Sequence, residues 1–543
     1  MYKDSWKILN KLNGKDILDV LLENRGIVSK RQKKEFLNPM HPYDISPDEV
    51  GIDSKELEKA VKRIKLSIKK KEQVIVYGDY DADGVCATAI VWETLHALGS
   101  NAIPFIPDRF EDGYGINKKR VASIKKENKN TKLIITVDNG IVAHDAIKEA
   151  KRLGIDVIVC DHHTCDKKPN AFAVIHTTKI SGSAVAYFMA KCLKPEIFKR
   201  DSFVELAAIG TISDQLPLFE VNRSIVKHGL YSLNKTKRIG LKKLMMVSGL
   251  LDKEIGTYEV GFLIAPRINA SGRLASGMDS LRLLCTKNSK RAERLAITLN
   301  SLNMERQDVV ESTMKEIEEK LSASLSNVVV LADEKYHEGV IGLIASKIVE
   351  KTNRPAIVLA IKGSLAKASA RSIKGFNIIE AIRAHEEYIV GGGGHEMAAG
   401  FSIKTKKIKV FSEKINVYAD NILNPEILKK EIKIDCELPF SYINDKVYNT
   451  TKLLEPHGVG NPSPLFVTKA VELVSQNFVG RSSKHLRLVL KKDGLVKEGI
   501  CFNKDNKIKN KKVNICYRIS QNFWNGRESV ELIVKDIKYG TKI

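Results

Sequence analysis

From Gln73 onward the chain alternates short β-branched runs with helical stretches that end in glycine: VIVYGDYDADG, ATAIVWETLHALG, LIITVDNG, AHDAIKEAKRLG and VIVCDHH. Strands interleaved with helices in this way pair in parallel, because the intervening helix is the crossover that a parallel pair needs. An α/β domain around a parallel sheet is therefore predicted. In such sheets ligands sit beyond the carboxyl ends of the strands, so the polar residues that follow each apolar run are the ones to examine.

Those residues are acidic or histidine. The run GDYDADG sets Asp79, Asp81 and Asp83 at alternate positions after one strand. A second strand ends in Asp138-Asn139-Gly140, a third in Asp161-His162-His163, and AAIGTIS delivers Asp214 after another small apolar stretch that reads as a fourth strand end. Carboxylates that converge repel one another unless a cation is present. Carboxylates with imidazoles and no thiolate suit Mn²⁺ or Mg²⁺ better than a structural zinc, and imidazole tilts the choice toward Mn²⁺. Four or more carboxylates exceed what one ion needs, which implies two divalent metal ions able to activate water and stabilise the leaving oxygen of a phosphodiester. Any one of these aspartates alone would be read as a helix N-cap or a turn residue. Their recurrence at successive element ends is what makes the site.

GDYDADG, VDNG, DHH and a later Ser-Asp, in that order, resemble the four motifs of the DHH phosphoesterase superfamily. The resemblance implies that Asp81, Asp83, Asp138, His162 and Asp214 are metal ligands, with Asp79 matching a further motif aspartate. It implies that Asp161 and His163 support the ligands and help stabilise the transition state. Downstream, GGGGHEMAAGFSI resembles the substrate-binding motif of the DHHA1 domain, with Gly393, Gly394 and His395 matching; glycines let backbone amides approach a phosphate closely. IPDRFEDGYGIN (Arg109, Tyr114), APRINASGRL (Asn269, Arg273) and the pair YHEGVIGLIASK and ASARSI (Ser369, Arg371) resemble RecJ-type members of the superfamily. So do EPHGVGNPSPLF and the strand-rich region after it. For Arg109, Arg273 and Arg371 the expected role is phosphate contact, and for Tyr114 it is stacking on an unpaired base. The cationic stretch around Arg273 reads as a Pro/Asn/Gly-rich turn. After the DHH motif the sequence departs from the superfamily pattern: the loop is short, and Ser181-Gly182-Ser183-Ala184 replaces its small-residue packing. This bears on the channel wall rather than on the metal site.

The whole chain is expected to be α/β: a parallel-sheet DHH domain and a smaller DHHA1 α/β domain joined by a helical connector, plus a C-terminal OB-like β-barrel. The expected limits are a helical lead-in at 1–70, the DHH domain at 71–235, the connector at 236–326, the DHHA1 domain at 327–425 and the OB-fold at 426–543. The barrel is inferred from EIKIDCEL, KAVELVSQNFVG, KHLRLVLKK, LVKEGICF and ESVELIVKDIKYG, in which Phe502, Phe523 and Trp524 are candidate stacking residues. An excess of 89 Lys and Arg over 65 Asp and Glu, net +24, attracts polyanions. Eight cysteines without a CxxC pair argue against a disulfide framework and a structural zinc site. With no apolar leader or spanning run, the expected compartment is cytoplasmic, with no membrane.

Through the resemblance, the expected activity is 5′-to-3′ hydrolysis of single-stranded DNA to 5′-mononucleotides in recombination and repair. The expected partners are single-stranded DNA, a single-strand-binding protein and a helicase, with the chain a monomer. The alternatives are an RNA or short-oligonucleotide phosphodiesterase using the same site, and an inactive single-strand-binding scaffold. Retention of every motif residue argues against the scaffold.

Overall fold

The computed structural model describes residues 5–109, 111–193, 198–323, 325–480, 484–504, 506–524 and 527–540. Contacts divide them into two compact units, 5–8 with 304–434 and 9–303 with 435–540. Before residue 70 the chain forms helices Ile17–Glu23, Lys30–Leu37 and Ser54–Lys69, but it starts differently from the helical reading: β1 (Ser5–Asn10) is a strand. Trp6 is buried, and the Ser5 N–H donates to the Lys430 carbonyl at 2.9 Å. No local pattern betrays a six-residue strand whose partner lies more than 400 positions away. Arg25, farther along, ion-pairs with Asp435 at 3.0 Å, both side chains buried.

In the larger unit the predicted parallel sheet has five strands in the order β3-β2-β4-β5-β6. They are β2 (Gln73–Tyr77), β3 (Asn101–Phe105), β4 (Thr131–Val137), β5 (Asp156–Asp161) and β6 (Ala173–His176). The two edge strands, NAIPF and AVIH, escaped the sequence reading because each is short and bounded by polar residues. Alternation sends Val74, Val76, Leu133 and Ile135 to one core, with helices Ala82–Ala97 and Gly182–Leu193. It sends Ile75, Tyr77 and Ile134 to the other, with Val121, Ile124 and Ile147 from helices Lys118–Glu127 and His144–Arg152. Helices therefore cover both faces, as a parallel sheet requires.

Two expectations in this unit are corrected. Asp214 does not end a strand; it follows the helix Val204–Ser213, whose Ala and Gly residues are small because it packs on Ala82–Ala97 and Glu220–Asn234. APRINASGRL is not a turn but the helix Ala265–Leu274, entered through a π-turn at Val260–Ile264. Pro266 stands two residues after the π segment, inside a helical run that is continuous from Thr257 to Leu274. Gly272 is there because a Cβ would lie 2.4 Å from the Tyr80 carbonyl.

The smaller unit carries a mixed sheet in the order β10-β11-β9-β8-β7, formed by β7 (Val329–Asp333), β8 (Ala356–Lys362), β9 (Leu365–Arg371), β10 (Ile389–His395) and β11 (Ala398–Lys404). The glycine cluster is thus an exposed edge strand, β10, and not a turn. Residues 289–323 form one helix, Ser289–Ala323.

After β12 (Glu431–Glu437) come the barrel strands β13 (Phe466–Val479), β14 (His485–Lys492), β15 (Leu495–Cys501), β16 (Lys512–Trp524) and β17 (Arg527–Lys538). Pairings β13–β14–β15–β17–β16 return to β13, which closes the five-stranded ring, with β15 and β17 parallel. The sequence reading counted Glu431–Glu437 as a barrel strand and passed over Lys512–Trp524. The former instead lies outside the ring, pairing with β13 only through Cys436 and Glu437. Leu486, Leu488, Ile515, Tyr517 and Leu532 fill the barrel together with Leu21, Leu22 and Phe36 from the N-terminal helices. Arg223, on the helix Glu220–Asn234, fixes that assembly. Its buried guanidinium donates to the carbonyls of Phe36 (2.6 Å), Leu454 (3.0 Å), Glu455 (2.7 Å) and Pro456 (3.3 Å). Among the described residues no helix is long and apolar enough to cross a membrane.

Candidate metal and nucleic-acid site

The tips of β2, β4 and β5 and the end of helix Val204–Ser213 bring the predicted aspartates together. Asp81 is both N-cap and site residue: its Oδ1 accepts from the Asp83 and Gly84 N–H groups, each at 3.0 Å, at the start of helix Ala82–Ala97. Asp83 is gripped by the start of helix Gly182–Leu193, accepting from the Gly182 N–H at 2.7 Å and the Ser183 N–H at 3.0 Å. Asp79 accepts from the Tyr80 N–H at 2.8 Å. Asp138 adopts a left-handed backbone (φ 62°), an uncommon conformation for a non-glycine residue that concentrates at functional sites. His162 Nε2 stands 3.2 Å from Asp138 Oδ1, 3.7 Å from Asp214 Oδ2 and 3.9 Å from Asp83 Oδ2.

Asp161 organises the histidines. One oxygen accepts from the His162 N–H (2.7 Å), the His163 N–H (3.2 Å) and His163 Nδ1 (2.8 Å), and the other from the Ile141 N–H (2.9 Å). Burial alone would raise this carboxyl, but the hydrogen bond and charge of His163 and those N–H groups bring it below the ordinary range. Burial likewise disfavours the His163 imidazolium; the hydrogen bond and charge of Asp161 outweigh it and lift His163 to about 9. Burial pushes His162 down. Burial thus favours the neutral form of His162, while Asp161 favours the cationic form of His163.

Burial pushes Asp79 and Asp138 well above the usual carboxylate range, and nearby carboxylates add to the effect: Asp81 on Asp79, and Asp83, Asp81 and Asp79 on Asp138. Burial and the charge of Asp83 raise Asp81, and burial with Asp83 and Asp81 raises Asp214 to about 8. Asp138 Oδ1 is buried without a well-aligned hydrogen bond among the described residues. Three donor sets each lie within 4.8 Å: Asp138, His162 and His163; Asp83, His162 and Asp214; and Asp79, Asp81 and Asp138. Crowded carboxylates with an orphaned oxygen and an imidazole fit hard divalent cations.

The other predicted residues divide by unit. The Tyr114 hydroxyl oxygen lies 3.1 Å from His163 Nε2, and the two rings meet edge-on. Arg109 lies over the Tyr80 ring at 5.2 Å. The Asn269 Oδ1 accepts from the Ala82 N–H at 2.6 Å, which ties helix Ala265–Leu274 to the aspartate loop. Arg273 ends that helix, and its charge acts on the Tyr80 hydroxyl. In the smaller unit, Arg371 donates to Ser369 Oγ at 3.2 Å on β9. β11 pairs with β9 there, and pairs Gly393, Gly394 and His395 of β10 with Gly400, Ala399 and Ala398. The structure thus gathers each group within its own unit.

Sequence reasoning missed two parts of the site. Gly182, Ser183 and Gly210 close around Asp83 and Asp138: a Cβ on Gly210 would fall 2.0 Å from Asp83 Oδ1. The departure at 181–184 therefore builds the metal-site wall itself. Beginning beside Asp214, at Ser213, Gln215 and Asn269, a groove of about 1590 Å³ also passes Tyr258 and Phe262. These two rings stack at 4.8 Å and are 62% and 64% exposed; Lys227, Lys235, Lys253 and Lys452 line the same groove. The i, i+4 aromatic pair in TYEVGF was the signal. Phe502 is exposed and meets His485 edge-on, whereas the Phe523 and Trp524 side chains fall outside the described residues.

Comparison with known proteins agrees with this geometry. Residues 73–211 match the DHH family N-terminal domain, 325–421 the DHHA1 domain and 434–536 the RecJ OB domain. The chain is 34% identical over 534 residues to the single-stranded-DNA-specific exonuclease RecJ of Bacillus subtilis, covering 95% of this chain and 67% of that protein. RecJ of Thermus thermophilus in complex with Mn²⁺ superposes with a TM-score of 0.85 at 29% identity, covering 99% of this chain and 80% of the other. The same protein in complex with Mg²⁺ gives 0.78 at 28% identity, covering 99% and 79%. Likeness of that extent, carried through all three domain types, makes the chain a member of the RecJ family.

Proposed function

We propose that the chain removes nucleotides from the 5′ end of single-stranded DNA and releases 5′-mononucleotides. It is a metal-dependent, single-stranded-DNA-specific exonuclease, as its family is, and neither an RNA phosphodiesterase nor an inactive scaffold. The observation that carries the mechanism is the cluster of donor atoms around the orphaned Asp138 Oδ1. Asp79, Asp81, Asp83, Asp138, His162 and Asp214 hold two divalent cations, Mn²⁺ or Mg²⁺, which supply Lewis acidity and a water nucleophile at neutral pH.

The chain's own groups do the rest. Asp161 fixes His163 so that its imidazolium can donate to a phosphoryl oxygen as charge builds there. Arg109 and Arg273 hold phosphates near the cluster, and Tyr114 keeps His163 in place. Ser369, Arg371, Gly393, Gly394 and His395 make a second phosphate-binding group on the DHHA1 sheet. The aromatic groove, lined by lysines together with Asp252, Glu254, Glu259 and Glu455, receives the strand: stacking on Tyr258 and Phe262 tolerates any base, and lysines need only the backbone. The functional domains are assigned as 71–235 (DHH), 236–326 (connector), 327–425 (DHHA1) and 426–543 (OB-fold). An enzyme confined to single strands depends on a reaction that exposes them, so a helicase and a single-strand-binding protein are proposed partners of a monomer.

A time course with Mn²⁺ on DNA labelled at either end, beside duplex DNA, RNA and Asp138→Ala, tests this reading. Immediate release of labelled mononucleotide from the 5′ end, with duplex intact and the variant inactive, supports it. Release from the 3′ end first, or preferential loss of RNA, overturns it.

A further inference from the structure

EPHGVGNPSP is a sequence feature that the reaction above does not use. In the structure it forms the loop that follows helix Asp445–Lys452, and it docks on QLPLF, the five residues directly after Asp214. The Leu218 N–H donates to the Val459 carbonyl at 2.8 Å. Gly458 and Gly460 are small because of what they touch: a Cβ on Gly458 would lie 2.7 Å from Leu218 Cδ1, and one on Gly460 would lie 2.6 Å from the Phe219 ring. One turn beyond, Arg223 takes the Leu454, Glu455 and Pro456 carbonyls of the same loop.

Asp214 needs such support. The Asp83 carboxylate is pinned by two N–H groups, but that of Asp214 receives none among the described residues and is 35% exposed. Its placement rests on its backbone, which leaves helix Val204–Ser213 through Gln215 in a left-handed conformation, φ 56°. For a residue other than glycine this conformation is sterically costly and persists only where the surroundings enforce it. Helix-end bonds from the Gln215 and Leu216 N–H groups to Ile212 and Thr211 enforce it on one side, and the docked loop does so on the other.

We infer that loop 454–461 of the barrel domain is a positioning element for the metal site, with Gly458 and Gly460 letting it seat the chain that carries Asp214. This rests on the reading of Asp214 as a ligand. Barrel and metal site then share one short stretch of backbone, so unseating the loop weakens cation binding even with no DNA present.

The test is calorimetric titration of the full chain with Mn²⁺, without DNA, for Gly458→Val, Gly458→Val with Leu218→Ala, Gly458→Ala and Asp214→Asn. Loss of an outer support typically costs about 10-fold or more in metal affinity. A drop of that order is expected for Gly458→Val and a smaller one for Gly458→Ala, with most of the affinity restored when Leu218→Ala makes room. Unchanged affinity in both Gly458 variants, or a loss that Leu218→Ala does not relieve, overturns the inference while Asp214→Asn still binds weakly. If Asp214→Asn itself binds Mn²⁺ normally, the ligand reading falls and takes the inference with it. Should Gly458→Val not fold, Gly458→Ala gives the same two outcomes.

Discussion

Gly182 stands so close to Asp138 that a Cβ on it would fall 2.3 Å from the Asp138 Oδ1. The same glycine donates its N–H to Asp83 at 2.7 Å, so one residue sets the spacing between a carboxylate at the end of β4 and one in the first turn of helix Ala82–Ala97. Gly182→Ala must therefore move Asp138 or tilt the helix that holds Asp83. A loss of about 100-fold in kcat is expected from displacement of this kind, with the melting temperature little changed. Single-turnover cleavage beside a thermal melt measures both; full activity in the alanine variant would refute the packing argument.

Asp161 touches the reaction only through the histidines it holds. Asp161→Asn keeps the shape but removes the charge that sustains the His163 imidazolium. Positioned acid–base groups typically contribute 10²–10⁴-fold, so a fall of about 100-fold or more in kcat is expected. DNA affinity, read by fluorescence anisotropy, should stay within a few-fold. Weakened binding with kcat intact would reassign His163 to substrate capture.

Tyr258 and Phe262 are offered to the groove as a stacked pair. Replacing both with alanine should weaken single-stranded DNA binding by about 1–3 kcal/mol per stacked base. The salt dependence should keep its slope, since the lysines still neutralise the same phosphates. Lys253→Ala with Lys452→Ala should do the reverse, flattening the slope by about one unit for each phosphate no longer neutralised. Binding isotherms at several salt concentrations separate the two; equal effects on slope would sink the division of labour.

His457 couples the loop to pH. Its Nδ1 is buried with no hydrogen-bond partner among the described residues, and burial, with Arg25, Arg223 and Arg518 nearby, pushes it down to about 3. The unfolded chain takes up this proton near the ordinary histidine value of about 6.5, the folded chain only near 3. Between those values the unfolded state binds more protons. This contribution is therefore complete above about 6.5 and declines as the pH falls, by up to ~1.4 kcal/mol per unit. His457→Gln removes it, so the stability difference between wild type and variant should shift by that slope between pH 6.5 and 5 in urea melts. A difference independent of pH would rule the effect out.

Much of this was legible in the residue order, because the aspartates at the ends of β2, β4 and β5 follow apolar runs long enough to be read as strands. Asp214 was found for its neighbours and misplaced in structure: ATAIV and AAIG look alike as apolar runs, and only packing against other helices explains small residues in a helix. Gly182 looked like a departure because its purpose lies in Asp83 and Asp138, about 100 and 44 positions upstream. The barrel was recognised from alternating strands, yet the wrong fifth strand was chosen. Ring closure between β13 and β16 is a long-range pairing, and neither strand announces it alone.

The bond from Ser5 to Lys430 and the ion pair of Arg25 with Asp435 give early residues their partners among late ones. At about 5–20 residues per second, the ribosome needs roughly 20 to 85 seconds to supply them. For that interval β1 is an unpaired strand edge on a growing polypeptide, and the parallel sheet between them can fold before β1 has anything to hold.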